Sequence, residues 1–168
     1  PVRGVPTGPR NFAWRANQPA TLVWAEALDG GDWKVEVPAR DRLLTLAAPF
    51  AGTPGEFART KQRFGGLSWF EDGGRALLTE FDANRNWRTT RLVDADRAGD
   101  PGRVLWDLST HELYANPGSP QGRVLPNGAR VLRDRPMLLA INQQQADVAG
   151  WLARLKQWLP ASTAPSGN

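Results

Sequence analysis

The chain has 168 residues, of which 40% are hydrophobic and 23% charged, with a formal net charge of +4 and no cysteine. No apolar run approaches the roughly 18 residues that cross a bilayer, and the absence of thiols excludes disulfides, thiol nucleophiles and thiolate metal sites together, a pattern compatible with cytoplasm and periplasm alike. The 21 Lys and Arg residues run from Arg3 to Lys156 and alternate with acids, as at Arg88, Arg91, Asp94, Asp96 and Arg97; they describe a mixed-sign solvated surface, not a stripe that would track phosphates.

Residues 1–10 read as a leader or linker. They carry no initiator Met, no charged n-region and no apolar signal stretch, so the N-terminus is expected to be a cut. Residues 11–64 make a first unit: Asn11 to Arg15, Thr21 to Leu28, Arg42 to Ala48 and Glu56 to Gln62 read as strands, broken by Asn17-Gln18-Pro19 and Asp29-Gly30-Gly31. The fourth has few large apolar residues, which suits an outer edge. Residues 65–109 make a second unit from Gly66 to Phe70, Ala76 to Phe81, Trp87 to Val93 and Arg103 to Leu108. In the last of these Val104, Trp106 and Leu108 fall on one face, the alternation of a half-buried strand. Residues 110–133 begin a third unit, of which one hairpin is traced around Pro126-Asn127-Gly128.

In residues 134–168 the period changes. Val148, Trp151, Leu152, Leu155, Trp158 and Leu159 recur at helical spacing, with Asp147 near the start and Pro160 as the stop. This predicts an amphipathic helix over Gln145 to Leu159, followed by a disordered tail.

The first two units read alike when slid 55 residues: Ala13-Trp14 then Leu22-Val23 against Ser68-Trp69 then Leu77-Leu78. A period near 50 is the sign of a β-propeller blade. The expected fold class is therefore all-β, with about two and a half four-stranded antiparallel propeller blades and a C-terminal helix. Trp14, Trp24, Trp69 and Trp106 are expected at matching strand positions, filling the gaps between blades. A blade cannot bury both faces alone, so the chain is expected to be a piece of something larger, and its open edges favour self-association.

The chemical motifs are sparse. Asp82 to Asn86 has the alternating oxygen side chains of a calcium loop but lacks its Gly at the sixth position and Glu at the twelfth, where Trp87 and Val93 stand; it reads as a hairpin turn. His111, the only histidine, adjoins Glu112, but a hydrolytic site needs a nucleophile in hydrogen-bond reach or further metal ligands, and it reads as a surface or inter-blade residue. No catalytic residue, metal ligand or cofactor site is expected, and no binding residue is assigned.

Four stretches carry a resemblance: Asn11-Phe12-Ala13-Trp14-Arg15, Leu22 to Gly31, Trp87-Arg88-Thr89-Thr90 and Tyr114 to Pro120. Together with Phe57 to Thr60 and Phe64-Gly65-Gly66, they make the region from about Pro9 to Pro120 similar to the N-terminal propeller of prolyl-oligopeptidase-like serine peptidases, in the branch that includes the glutamyl endopeptidases. The resemblance implies a parent with a seven-bladed propeller over an α/β-hydrolase domain that carries a Ser, Asp and His triad and cleaves short peptides. None of that machinery is expected here. The nearest string to a Gly-x-Ser-x-Gly elbow is Gly66-Leu67-Ser68-Trp69-Phe70, whose large residues make Ser68 a strand residue. The implied role is non-catalytic: a share in the screen that admits peptides to the hydrolase domain, with no nucleic acid and no membrane as partner. The alternative is a stand-alone propeller-like protein-binding module. After Pro120 the pattern departs from the family, which is expected to reflect either an interrupted parent gene or a rearranged relative capped by the helix.

Overall fold

A computed structural model describes residues 4–16, 18–112, 119–133 and 139–140. All regular structure among them is β. The first four strands, β1 (Arg10–Trp14), β2 (Thr21–Ala27), β3 (Asp41–Ala47) and β4 (Gly55–Thr60), form one antiparallel sheet in chain order. The next four, β5 (Arg63–Trp69), β6 (Arg75–Asp82), β7 (Trp87–Asp94) and β8 (Arg103–Ser109), form a second. Two short pairs follow: β9 (Ser119–Pro120) with β12 (Leu139–Ala140), and the hairpin of β10 (Gly122–Val124) with β11 (Arg130–Leu132). The chain is thus all-β and built from blade-like four-stranded meanders. The helix expected over Gln145 to Leu159 lies outside the described residues.

The turns follow from local side-chain chemistry. An Asp carboxylate folds back on the amides that follow it, so the backbone reverses without leaving buried donors orphaned. Asp72 accepts from the amides of Gly74 and Arg75, both at 3.0 Å, between β5 and β6. Asp82 accepts from Asn84 at 2.9 Å between β6 and β7, and Asp29 from Gly31 at 3.0 Å after β2.

The two sheets repeat most of their pairing and differ in the first strand pair, whose bulge falls between Arg10 and Ala13 in β1 and between Phe64 and Gly66 in β5. Trp14 lies opposite Leu22 at the end of β1, and Trp69 opposite Ala76 at the end of β5. The middle hairpins, β2 with β3 and β6 with β7, run without a break. A bulge interrupts the last pair of each sheet at the same place, leaving Phe57 as the extra residue on β4 and Leu105 as the extra residue on β8. The register makes Val23 the equivalent of Leu77 and Trp24 that of Leu78. The second strands therefore match at a slide of 54 rather than 55, because the second turn is one residue shorter.

One core lies between the sheets. Val23, Leu43, Phe57 and Ala58 of the first sheet pack against Trp69, Ala76, Leu78 and Val93 of the second, joined by Leu125 and Val131 of the β10–β11 hairpin. A smaller cluster of Phe70, Leu77, Trp106 and Leu132 occupies the second sheet's other face. The hairpin sits along β5, where Leu132 makes a parallel bridge to Phe70 and its carbonyl accepts from the Glu71 amide at 3.1 Å.

Trp24, Trp69 and Trp106 are buried, but Trp14 is 63% exposed, against the expectation that all four fill inter-sheet gaps. Trp14 is covered only in part, by Phe50, whose ring centre lies 6.3 Å away. The four do not share one strand position either, since by register Trp24 matches Leu78 and Trp106 matches Ala58.

Candidate functional site

The first strands of the two sheets, β1 and β5, are edge strands of their sheets, and together with the β10–β11 turn they surround a cleft of ≈ 920 Å³. Ala13 and Trp14 supply one wall, Leu67 and Trp69 another, and Asn127 to Arg130 a third. Asn11, Gln18 and Asn127 add amide groups, and two cations, Arg15 and Arg130, line the cleft with no carboxylate among its lining residues. A concave site with apolar walls and a few convergent polar groups is the form that small ligands and peptide side chains use.

The two arginines differ in freedom. Arg15 is buried and committed: its Nε donates to the Gly73 carbonyl at 2.7 Å, its Nη2 to Asp96 at 2.8 Å, and its guanidinium lies 5.1 Å from the Trp69 ring centre. It ties the end of β1 to two turns of the second sheet. Arg130 is exposed at the mouth of the cleft. The cleft therefore presents a positive wall of which one member is fixed and the other solvent-facing.

Beyond the cleft, the sheets are joined by a buried charge network. Asp29 and Asp41 have side chains with no exposed surface. Arg63, at the start of β5, donates from Nη2 to Asp29 at 2.6 Å and from Nη1 to Asp41 at 2.9 Å. Arg40 donates to Asp29 at 2.9 Å, Arg10 pairs with Asp41 at 2.7 Å, and the Phe64 amide donates to Asp41 at 2.7 Å. Burial by itself would raise the Asp29 carboxyl, but the hydrogen bonds from Arg63 and Arg40 outweigh it and hold it below the usual carboxylate range. A second link runs through Arg91, which pairs with Glu80 of its own sheet at 3.3 Å and donates from Nη2 to the Arg59 carbonyl of the first sheet at 2.5 Å, while Glu80 accepts from the Gln62 amide at 2.8 Å.

The residues singled out from sequence do not converge. Ser68 is exposed one residue before the end of β5, opposite Leu77, without the strand-to-helix turn of a nucleophile elbow. His111 and Glu112 are exposed in the turn after β8. Asp82 to Asn86 forms the β6–β7 turn. Among the described residues no three His, Cys, Asp or Glu side chains are grouped to hold a metal ion, and no helix is long and apolar enough to cross a membrane. Sequence reading missed both the cleft and the Asp29–Arg63–Asp41 network. The cleft is built by strand ends that only the sheet packing brings together, and the network joins residues 22 and 34 positions apart.

No family model and no solved structure matches the chain. Over 127 residues, 74% of its length, the chain is 36% identical to a protein of Arabidopsis thaliana named a probable chloroplastic glutamyl endopeptidase. It is 34% identical, also over 127 residues, to a protein of the same name from Oryza sativa subsp. japonica. It spans 13% of the length of each of these relatives. The chain is thus related in sequence to a stretch of peptidase-named proteins.

Proposed function

We propose that this chain is a non-catalytic β-propeller segment of a serine-type, prolyl-oligopeptidase-like peptidase, and that it forms part of the screen through which peptides reach an α/β-hydrolase domain. The observation that carries the reading is the likeness to probable glutamyl endopeptidases over 127 residues of a chain that folds into two four-stranded antiparallel sheets. The cleft supports it in kind: it lies where the inner strand edges meet, and its cationic, carboxylate-free lining suits peptides with acidic side chains. No residue in it has the partner geometry of a nucleophile and base, so the contribution is steric and electrostatic.

The test is a pair of measurements on the purified chain. Glutamate-containing peptides should perturb the amide resonances of Asn127 to Arg130, and Arg130→Glu should remove the effect, while no peptide is cleaved. Cleavage abolished by a serine-directed inhibitor, or perturbation unchanged by Arg130→Glu, overturns the reading. A second reading, a stand-alone propeller-like protein-binding module, is favoured by one observation: the exposed aromatic face of the first sheet, with Phe12 57% and Trp14 63% exposed.

A further inference from the structure

Arg15 is held in place by only part of its hydrogen-bonding capacity. A guanidinium carries five N–H donors in a planar fork. Arg15 directs Nε to the Gly73 carbonyl and Nη2 to Asp96, and its plane lies over the Trp69 ring. Nη1 enters neither bond; it has no protein partner among the described residues and is not sealed from solvent. Arg15 is part of the cleft lining, whereas Gly73 and Asp96, which hold it, are not. The fork is therefore gripped from behind the cleft wall, and Nη1 is the end left to meet the cleft.

Two further observations point to a ligand there. Among the described residues four non-glycines have a left-handed φ, and two of them, Asn11 at 56° and Ala20 at 43°, line this cleft. Strained backbone of this kind gathers at ligand sites, where the surrounding structure holds it. Charge balance says what the ligand is. Arg63 serves two carboxylates at once, while Arg15, itself 7% exposed, serves only Asp96, whose side chain is 63% exposed. A counter-charge so open to solvent neutralises a buried cation incompletely.

We propose that Arg15 reads a side-chain carboxylate of the bound peptide, through a hydrogen bond donated by Nη1, and that Asp96 is the resident counter-ion that sets how tightly this carboxylate is held. The inference rests on the screening role proposed above and names the group that makes the screen selective. Arg130, exposed at the mouth, attracts an acidic peptide from a distance. Arg15, already locked by its ties, loses little freedom on binding and fixes where the carboxylate sits.

Arg15→Gln removes three ties of β1 together and can unseat the strand, so the test is made at Asp96, where Asn keeps the acceptor and removes the charge. Acetylated, amidated peptides that differ only in a central Glu or Gln are titrated into the full chain and followed by NMR. The Glu peptide should move the Arg15 Nε–H resonance and the Gln peptide should not. Asp96→Asn should bind the Glu peptide about two- to fivefold more tightly at low salt, with its affinity for the Gln peptide unchanged. Binding of the Glu peptide with a stationary Arg15 resonance, or with equal affinity in Asp96→Asn and the unaltered chain, overturns the proposal and leaves the screening role standing. A Gln peptide with a free C-terminus that binds as tightly as the Glu peptide overturns the side-chain assignment. Binding of none of these peptides overturns the proposal and the screening role together.

Discussion

Arg63 joins the two sheets through a buried ionic contact. Its guanidinium serves two carboxylates that have no exposed surface, Asp41 of β3 and Asp29 of the loop after β2. Removing one partner from a buried ionic group leaves the remainder uncompensated, so Arg63→Met should lower unfolding free energy by about 3–5 kcal/mol in urea titration. Asp29 gives the network a pH dependence. Its carboxyl is held below the usual range, so its folded form favours ionisation. The stability it contributes is present above the unfolded value of about 3.9 and is lost as pH falls through the lower folded value. Urea midpoints measured through the acid range should fall with pH, and Asp29→Asn should flatten that fall while lowering the neutral-pH midpoint. The tryptophans make a paired test. Trp69→Ala empties the shared core and should cost about 3–5 kcal/mol, whereas Trp14→Ala should change stability by no more than about 0.5 kcal/mol.

The strands and turns were the most legible features of the sequence. Each of the eight strands in the two sheets overlaps a segment read as a strand from sequence, and the turns within each sheet carry Gly, Pro, Asn or Asp, because those residues fix where the chain can reverse. Leu22-Val23 and Leu77-Leu78 were matched one residue out of register, since a slide of the sequence cannot see that the second hairpin turn is shorter; only cross-strand pairing does. Burial of Trp14 was misread for a related reason: pattern gives the face a residue points to, while exposure depends on what stands opposite. The loop after β2 illustrates how a turn positions chemistry. Gly31 has φ +76° and an added Cβ would meet the Val5 carbonyl oxygen at 2.1 Å, whereas Gly30, at φ +65°, faces open space. Gly30→Ala should cost about 1–2 kcal/mol for the left-handed backbone alone. Gly31→Ala should cost more and, by displacing the turn that holds Asp29, should also weaken the acid dependence described above. Thermal melts of the two variants separate the effects.

For the molecule as a whole, the two sheets are one body. They share a core, a buried ionic network at one end and the Arg15 ties to Gly73 and Asp96 at the other. Tryptophan fluorescence and far-ultraviolet circular dichroism should therefore report coincident unfolding transitions; two separated transitions would mean that each sheet stands alone. The cleft and its proposed peptide role were not readable from sequence, because its lining comes from four separated segments, each ordinary by itself. The chain between the sheets is two residues long, Lys61 and Gln62, and is pinned on both sides: Glu80 holds the Gln62 amide, and Asp29 and Asp41 hold Arg63. Under the proposed screening role this seam acts as a weld, and any parting of neighbours has to occur at a different joint.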